Sequence, residues 1–274
     1  TSRVNLEVFL DWLNNGRGLL TLPGAEGIAY IHSKYSHPTP SDDRTDIELL
    51  FLCASFASDS SGDLRKSLGI TKQMYEQMYS NLENQDTFTI APMILHPRSK
   101  GRVRLRDANP WSAPTIYFNY FEDEHDMRVL VDAINQILKL SETPAFQKLG
   151  TRLNPSTLVQ CSHHPYKSDE YWACMMRHFT GTLHHQSGTC KMGPSTDPSA
   201  VVDPELRVHG ITHLRVVDAS ILPKIPGAHL YAPVLMIGEK ASDMIKQTWN
   251  NKSQTGHQAT EPSKVSPNLN DTAD

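Results

Sequence analysis

The residue types that could carry chemistry concentrate between residues 182 and 246. Two histidines, His185 and His229, lie about forty residues apart in small-residue stretches, HHQSGTCKMG and PGAHLYAPV. A histidine titrates near neutrality, so His185, just ahead of Ser187-Gly188-Thr189, can take a proton from a hydroxyl. Gly188 lets backbone approach a flat ligand closely. Residues 214–217 (LRVV) read as a short buried strand ending in Asp218. A carboxylate at the carboxyl end of such a strand meets the ligands of α/β sheets. The same aspartate equally well caps the turn that follows. Beyond His229, Ala232-Pro233 opens a helical repeat of Val234, Ile237, Ala241 and Ile245. Proline suits a first turn, and a helix start stabilises a developing anion. The chemistry predicted here is proton abstraction from a hydroxyl by one histidine, with a second at a helix start.

The elements that position these residues follow from periodicity. Leu6, Phe9, Leu10 and Leu13 predict an amphipathic helix, capped by Asn5 and stopped by Gly16. Strands are expected after Gly24, at 47–56 and at 88–96, and a short helix at Ile70, Met74 and Met78. Residues 102–106 alternate, with Val103 and Leu105 on one face and three arginines on the other, which predicts a solvated sheet face. Residues 123–140 carry the clearest helical pattern, ended by Thr143-Pro144. Ser168 is an N-cap for a helix over 168–179. Cys161 and Cys174 flank that segment and are either bridged or two buried thiols. From Asn250 the polar composition predicts a disordered tail.

At 274 residues, 38% hydrophobic and 20% charged, the chain is long enough for a real core. A net charge of −4 points away from nucleic acid and anionic membrane, and no run is long enough to span a bilayer. Four cysteines are too few for a disulfide scaffold. Asn251-Lys252-Ser253 and Asn270-Asp271-Thr272 are glycosylation triplets, and secretion is the expected localisation.

Three stretches, HHQSGTCKMG, VVDPELRVHGITHLRVVDAS and APVLMIGEKASDMI, resemble the C-terminal signature of the glucose–methanol–choline (GMC) flavin oxidoreductases. Upstream, ILHPRSKGRVRLRDANPWSAPTIYFNYF is similar to the opening of that family's substrate domain. The resemblance covers roughly residues 1–249 and is nearest to the FAD-dependent glucose dehydrogenases that use quinones. It implies an α+β architecture: a substrate domain with an antiparallel sheet backed by helices, plus the C-terminal part of a Rossmann-type FAD domain. The implied divisions are residues 1–88, 89–249 and a tail at 250–274. By the same resemblance His185 matches the catalytic base and His229 the second catalytic position. Asp218 and Ala219 match a segment touching the FAD ribityl and pyrophosphate, and Leu230 matches contacts to the flavin's pyrimidine end. The implied substrate is a small alcohol or sugar, the cofactor FAD, and the electron acceptor a quinone or oxygen. No metal ligand is implied.

The sequence departs from the family at His184 and Gln186, where relatives carry Tyr and Pro, and at His229, where dehydrogenases carry Asn and oxidases His. No GxGxxG is present, so the phosphate cradle is expected in an upstream half. Two rivals remain at this stage. A metal hydrolase would use His163-His164 or His184-His185, but HExxH is absent. A non-catalytic relative would keep the fold and bind a ligand or partner without turning over FAD.

Overall fold

The computed structural model describes residues 5–59 and 62–257, with side chains through Asn250. The chain divides into two compact units, 1–185 with 225–228, and 186–224 with 229–274.

The first unit opens on α1 (Leu6–Asn15), where Asn5 Oδ1 accepts the Val8 N–H at 2.9 Å and Gly16 ends the helix at φ 62°. Its apolar stripe is not buried by the described residues: Leu6 is 71% exposed. Three strands, β1 (Ala25–Ile31), β2 (Ile47–Leu52) and, after α2 (Asp63–Ser67) and α3 (Lys72–Met78), β3 (Thr89–Ile94), form an antiparallel sheet in that order. The boundary expected at 88/89 therefore falls between two paired strands of one sheet. Alternation sorts β2 by face: Ile47 and Leu49 pack on Val129 and Ala133, while Glu48 points the other way, pairs across the strand with Tyr30, and is fully buried.

A two-stranded hairpin follows, β4 (Arg102–Arg104) with β5 (Thr115–Tyr117). The arginines are solvated as predicted, but so is the apolar side, with Leu105 88% exposed. The strand ends at Arg104, so Leu105 is carried into the following turn rather than onto a sheet face.

Helix α4 (Glu124–Ser141) backs the sheet. Asp123 caps it through the His125 N–H. Its buried Asp126 accepts the N–H groups of Arg98 and Ser99, both at 2.9 Å. Buried Asp132 accepts the Lys34 N–H and the Gln136 amide. Such carboxylates are tolerated inside because each is hydrogen-bonded. Pro144 starts α5 (Pro144–Gln147) at its first turn rather than merely ending α4. Helix α6 (Asp169–Phe179) is capped by Ser168 through the Tyr171 N–H. It closes a core of Met78, Met127, Val131, Leu158, Tyr171 and Met175. There Cys161 and Cys174 are bridged, with Cα atoms 5.8 Å apart, which settles the open pairing.

The second unit is built from loops and α7 (Tyr231–His257) around Val202, Leu206, Ile221, Ile237 and Ala241. The buried strand expected at 214–217 does not form. Arg207 and Arg215 make an isolated bridge, Val216 packs on the core, and Leu214 and Val217 are exposed. With one isolated bridge, at Arg215, residues 214–217 have too few ladder partners to be a strand. The first residues of the tail expected from Asn250 are helical instead, since α7 continues to His257. Between Gly238 and Gly256 the chain holds no glycine or proline, so nothing in the covalent backbone stops the helix. Residues 258–274, with the rest of that tail and the Asn270 triplet, lie outside the described residues.

Candidate active site

The segment after His185 is strapped to the segment after Asp218. The N–H groups of Gly188, Cys190 and Met192 donate to the carbonyls of Ala219, Ser220 and Ile221, at 3.3, 2.9 and 2.8 Å. Gly188 has φ 82°, and a β-carbon there would stand 3.0 Å from the Leu222 carbonyl oxygen. A side chain would strain this backbone and push the strap off its neighbour. Ser187 Oγ is buried with no hydrogen-bond partner among the described residues.

Asp218 does cap the next turn, Ala219–Ile221, by accepting the Ser220 N–H at 2.7 Å. That bond uses Oδ1. The residue is exposed, and Oδ2 makes no hydrogen bond among the described residues. Capping the turn uses one carboxylate oxygen and leaves the other without a hydrogen bond among the described residues. Ile221, at the end of the turn, packs with Ile237 and Ala241 of α7.

Leu230 is 6% exposed, and its carbonyl accepts the Val234 N–H at 2.9 Å, the first bond of α7. Leucine offers no side-chain cap, and Pro233 removes one of the first-turn donors. No acidic residue stands in the first turn. The positive end of this helix is therefore not neutralised from within its own first turn. His229, half-buried, directly precedes Leu230.

The structure thus brings Asp218, Ala219, Leu230 and His229 into one unit, around the strap and the start of α7. His185 is half-buried and falls in the first unit, three residues before Gly188 in sequence; His229 falls in the second. His184, beside it, has φ 61°, an uncommon backbone state for a non-glycine residue.

Lys191 is a cation of the strap, but it is already engaged. Its Nζ donates to Asp197 Oδ2 at 2.6 Å and to Ser199 Oγ at 2.8 Å. The Lys191 bond, then those from Ser199, hold the Asp197 carboxyl well below the ordinary carboxylate range. This lysine clamps the loop rather than awaiting an anion.

One neighbour escapes sequence reasoning. A β-carbon on Gly227 would stand 3.3 Å from His96 Cε1, so the loop leading to His229 rides on the ring at the end of β3. No local pattern links these distant segments. Asp126 escapes as well, because a carboxylate in the first turn of a helix ordinarily reads as a solvated dipole partner.

Against known proteins, a family model described as GMC oxidoreductase matches residues 97–238, more than half of the chain. The chain is 37% identical over 253 residues to glucose dehydrogenase (FAD, quinone) of Drosophila melanogaster, covering 92% of this chain and 38% of that protein. It is 30% identical over 246 residues to ecdysone oxidase of Spodoptera littoralis, covering 89% and 38%. The chain therefore spans well under half the length of these curated relatives. In fold it is similar to formate oxidase of Aspergillus oryzae, with a TM-score of 0.70, 23% identity, and coverage of 92% of this chain and 43% of that one.

Proposed function

The chain belongs to the GMC oxidoreductase family, and from that premise we propose that it is the catalytic and flavin-contacting portion of an FAD-dependent oxidoreductase. The substrate class is the CH–OH group of a small alcohol or sugar, and the electron acceptor a quinone or oxygen. The observation that carries the reading is the strap of residues 188–192 on Ala219–Ile221, which ties the loop of the proposed base to the proposed ribityl contact.

The residues present fit FAD. Asp218 Oδ2 is an exposed acceptor suited to a ribityl or ribose hydroxyl. The start of α7 carries no acid, which suits an electron-rich ring edge or anion. Gly188 leaves backbone where a β-carbon would crowd Leu222. When bound, the flavin supplies the acceptor for the carbinol hydride.

His185 takes the hydroxyl proton of the substrate. General-base assistance of this kind contributes roughly 10²–10⁴-fold in rate. His229 donates a hydrogen bond to the same oxygen and, at the helix start, stabilises its developing negative charge. Asp218 and Ala219 hold the ribityl and pyrophosphate region, and Leu230 presents backbone to the pyrimidine end. The extracellular reading rests on the Cys161–Cys174 bridge, which persists where the medium is oxidising. Among the described residues no helix is long and apolar enough to cross a membrane.

The test is anaerobic addition of sugars and simple alcohols to the full-length protein purified with its flavin. Bleaching of the visible flavin band by one of these substrates, and not by their carbonyl products, is the expected result. An unchanged spectrum across the panel contradicts the proposal.

A further inference from the structure

The Cys161–Cys174 bridge does not stand alone. His178 lies one helical turn beyond Cys174 on α6, and the donor atoms of Cys161, Cys174 and His178 all fall within 4.8 Å of one another. His164, three residues after Cys161, lines a surface pocket of about 360 Å³ together with Cys174, His178 and Glu170. In sequence the four are spaced C-x2-H and C-x3-H, a short-loop pairing on each side of the kind that structural zinc sites use. None of these residues belongs to the proposed active site.

We propose that Cys161, His164, Cys174 and His178 form a thiol-dependent site for a soft divalent cation such as zinc, open when the bridge is reduced. The backbone suits both states. A Cα separation of 5.8 Å lies within the range of a disulfide. Zinc–sulfur bonds of about 2.3 Å place two thiolates on one tetrahedral ion about 3.8 Å apart, which side-chain rotation reaches without moving the helix. Cys161 is fully buried, Cys174 half-buried and His178 exposed, so the cation enters from the pocket side. Glu170 at the pocket favours a cation and Arg177 opposes it. Binding therefore depends on thiolate and imidazole donors rather than on net charge, which selects zinc over calcium or magnesium.

The exchange balances. A dithiol reductant gives two electrons and two protons: the Cys161–Cys174 bond breaks, two thiols form, and the reductant closes to its own disulfide. Zinc then displaces the two thiol protons to solvent. Either cross-link ties the turn at Val159–Cys161 to α6, beside the core residues Leu158, Tyr171 and Met175.

The test counts zinc bound per chain in the full-length protein, before and after anaerobic reduction with a dithiol, against a Cys161→Ser/Cys174→Ser double variant. The expected result is one additional equivalent in the reduced protein and none in the oxidised protein or the double variant. Cobalt in place of zinc should give the absorption of a tetrahedral thiolate complex. His178→Ala and His164→Ala should each weaken zinc binding by roughly tenfold or more. Equal zinc in the oxidised protein or in the double variant overturns the proposal. So does a His178→Ala protein with unchanged affinity and cobalt spectrum. Circular dichroism covers folding: a reduced chain that unfolds and is not restored by zinc also overturns it.

Discussion

Gly188 sits so close to Leu222 that a β-carbon on it would stand 3.0 Å from the Leu222 carbonyl oxygen, in a backbone conformation at φ 82°. Gly188→Ala therefore combines left-handed strain with crowding at the strap, and should cost about 1–3 kcal/mol of stability. Denaturant titration reads this as a lower midpoint at constant slope. Flavin affinity of the full-length protein should fall with it, because the strap positions Asp218. A neutral Gly188→Ala would mean the strap yields freely.

Asp126 ties the loop after β3 to α4 through the Arg98 and Ser99 N–H groups. Asp126→Ala leaves two backbone donors without their charged acceptor and should destabilise by about 2–5 kcal/mol. Asp126→Asn keeps the shape and one acceptor oxygen, so it should cost less. Equal midpoints for the two variants would contradict the clamp.

The Lys191–Asp197 pair sets a pH dependence of known sign. Its carboxyl is depressed in the folded chain, so the stability it contributes is present above the ordinary aspartate value near 4 and is lost as pH falls below it. The pair is partly solvated, so the effect is modest. Lys191→Met should flatten the acid limb of the stability curve below about pH 4 and leave its neutral limb parallel to wild type. Acid titration of both proteins by circular dichroism checks this, and identical acid limbs would refute it.

Ser187 buries a hydroxyl that meets no partner among the described residues. Removing an unsatisfied buried polar group is neutral or favourable. Ser187→Ala should thus keep or raise the melting temperature. A loss beyond about 1 kcal/mol would show that the hydroxyl is bonded after all.

The sequence was most readable where one local rule sufficed. Asn5 and Ser168 cap the helices that their positions predict, because capping needs only the next three residues. The antiparallel sheet and its helical backing agree with the α+β architecture that the family signature implies. Reading failed where partners decide. Residues 214–217 have strand composition but no ladder, and Leu105 alternates correctly in a strand that ends before it. Asp218 was legible as a cap, because an aspartate that accepts the N–H two residues on needs only its own turn. The contact of Gly227 with His96 and the Asp126 clamp join segments far apart in sequence, and no periodicity encodes them.

The most direct test of the account is the rate of anaerobic flavin reduction by the best alcohol or sugar substrate, measured against pH for the full-length wild type and His185→Ala. The account predicts a loss of roughly 10²–10⁴-fold, with disappearance of the ionisation that governs the wild-type rate near neutrality. An unchanged rate and an unchanged pH profile would contradict His185 as the base.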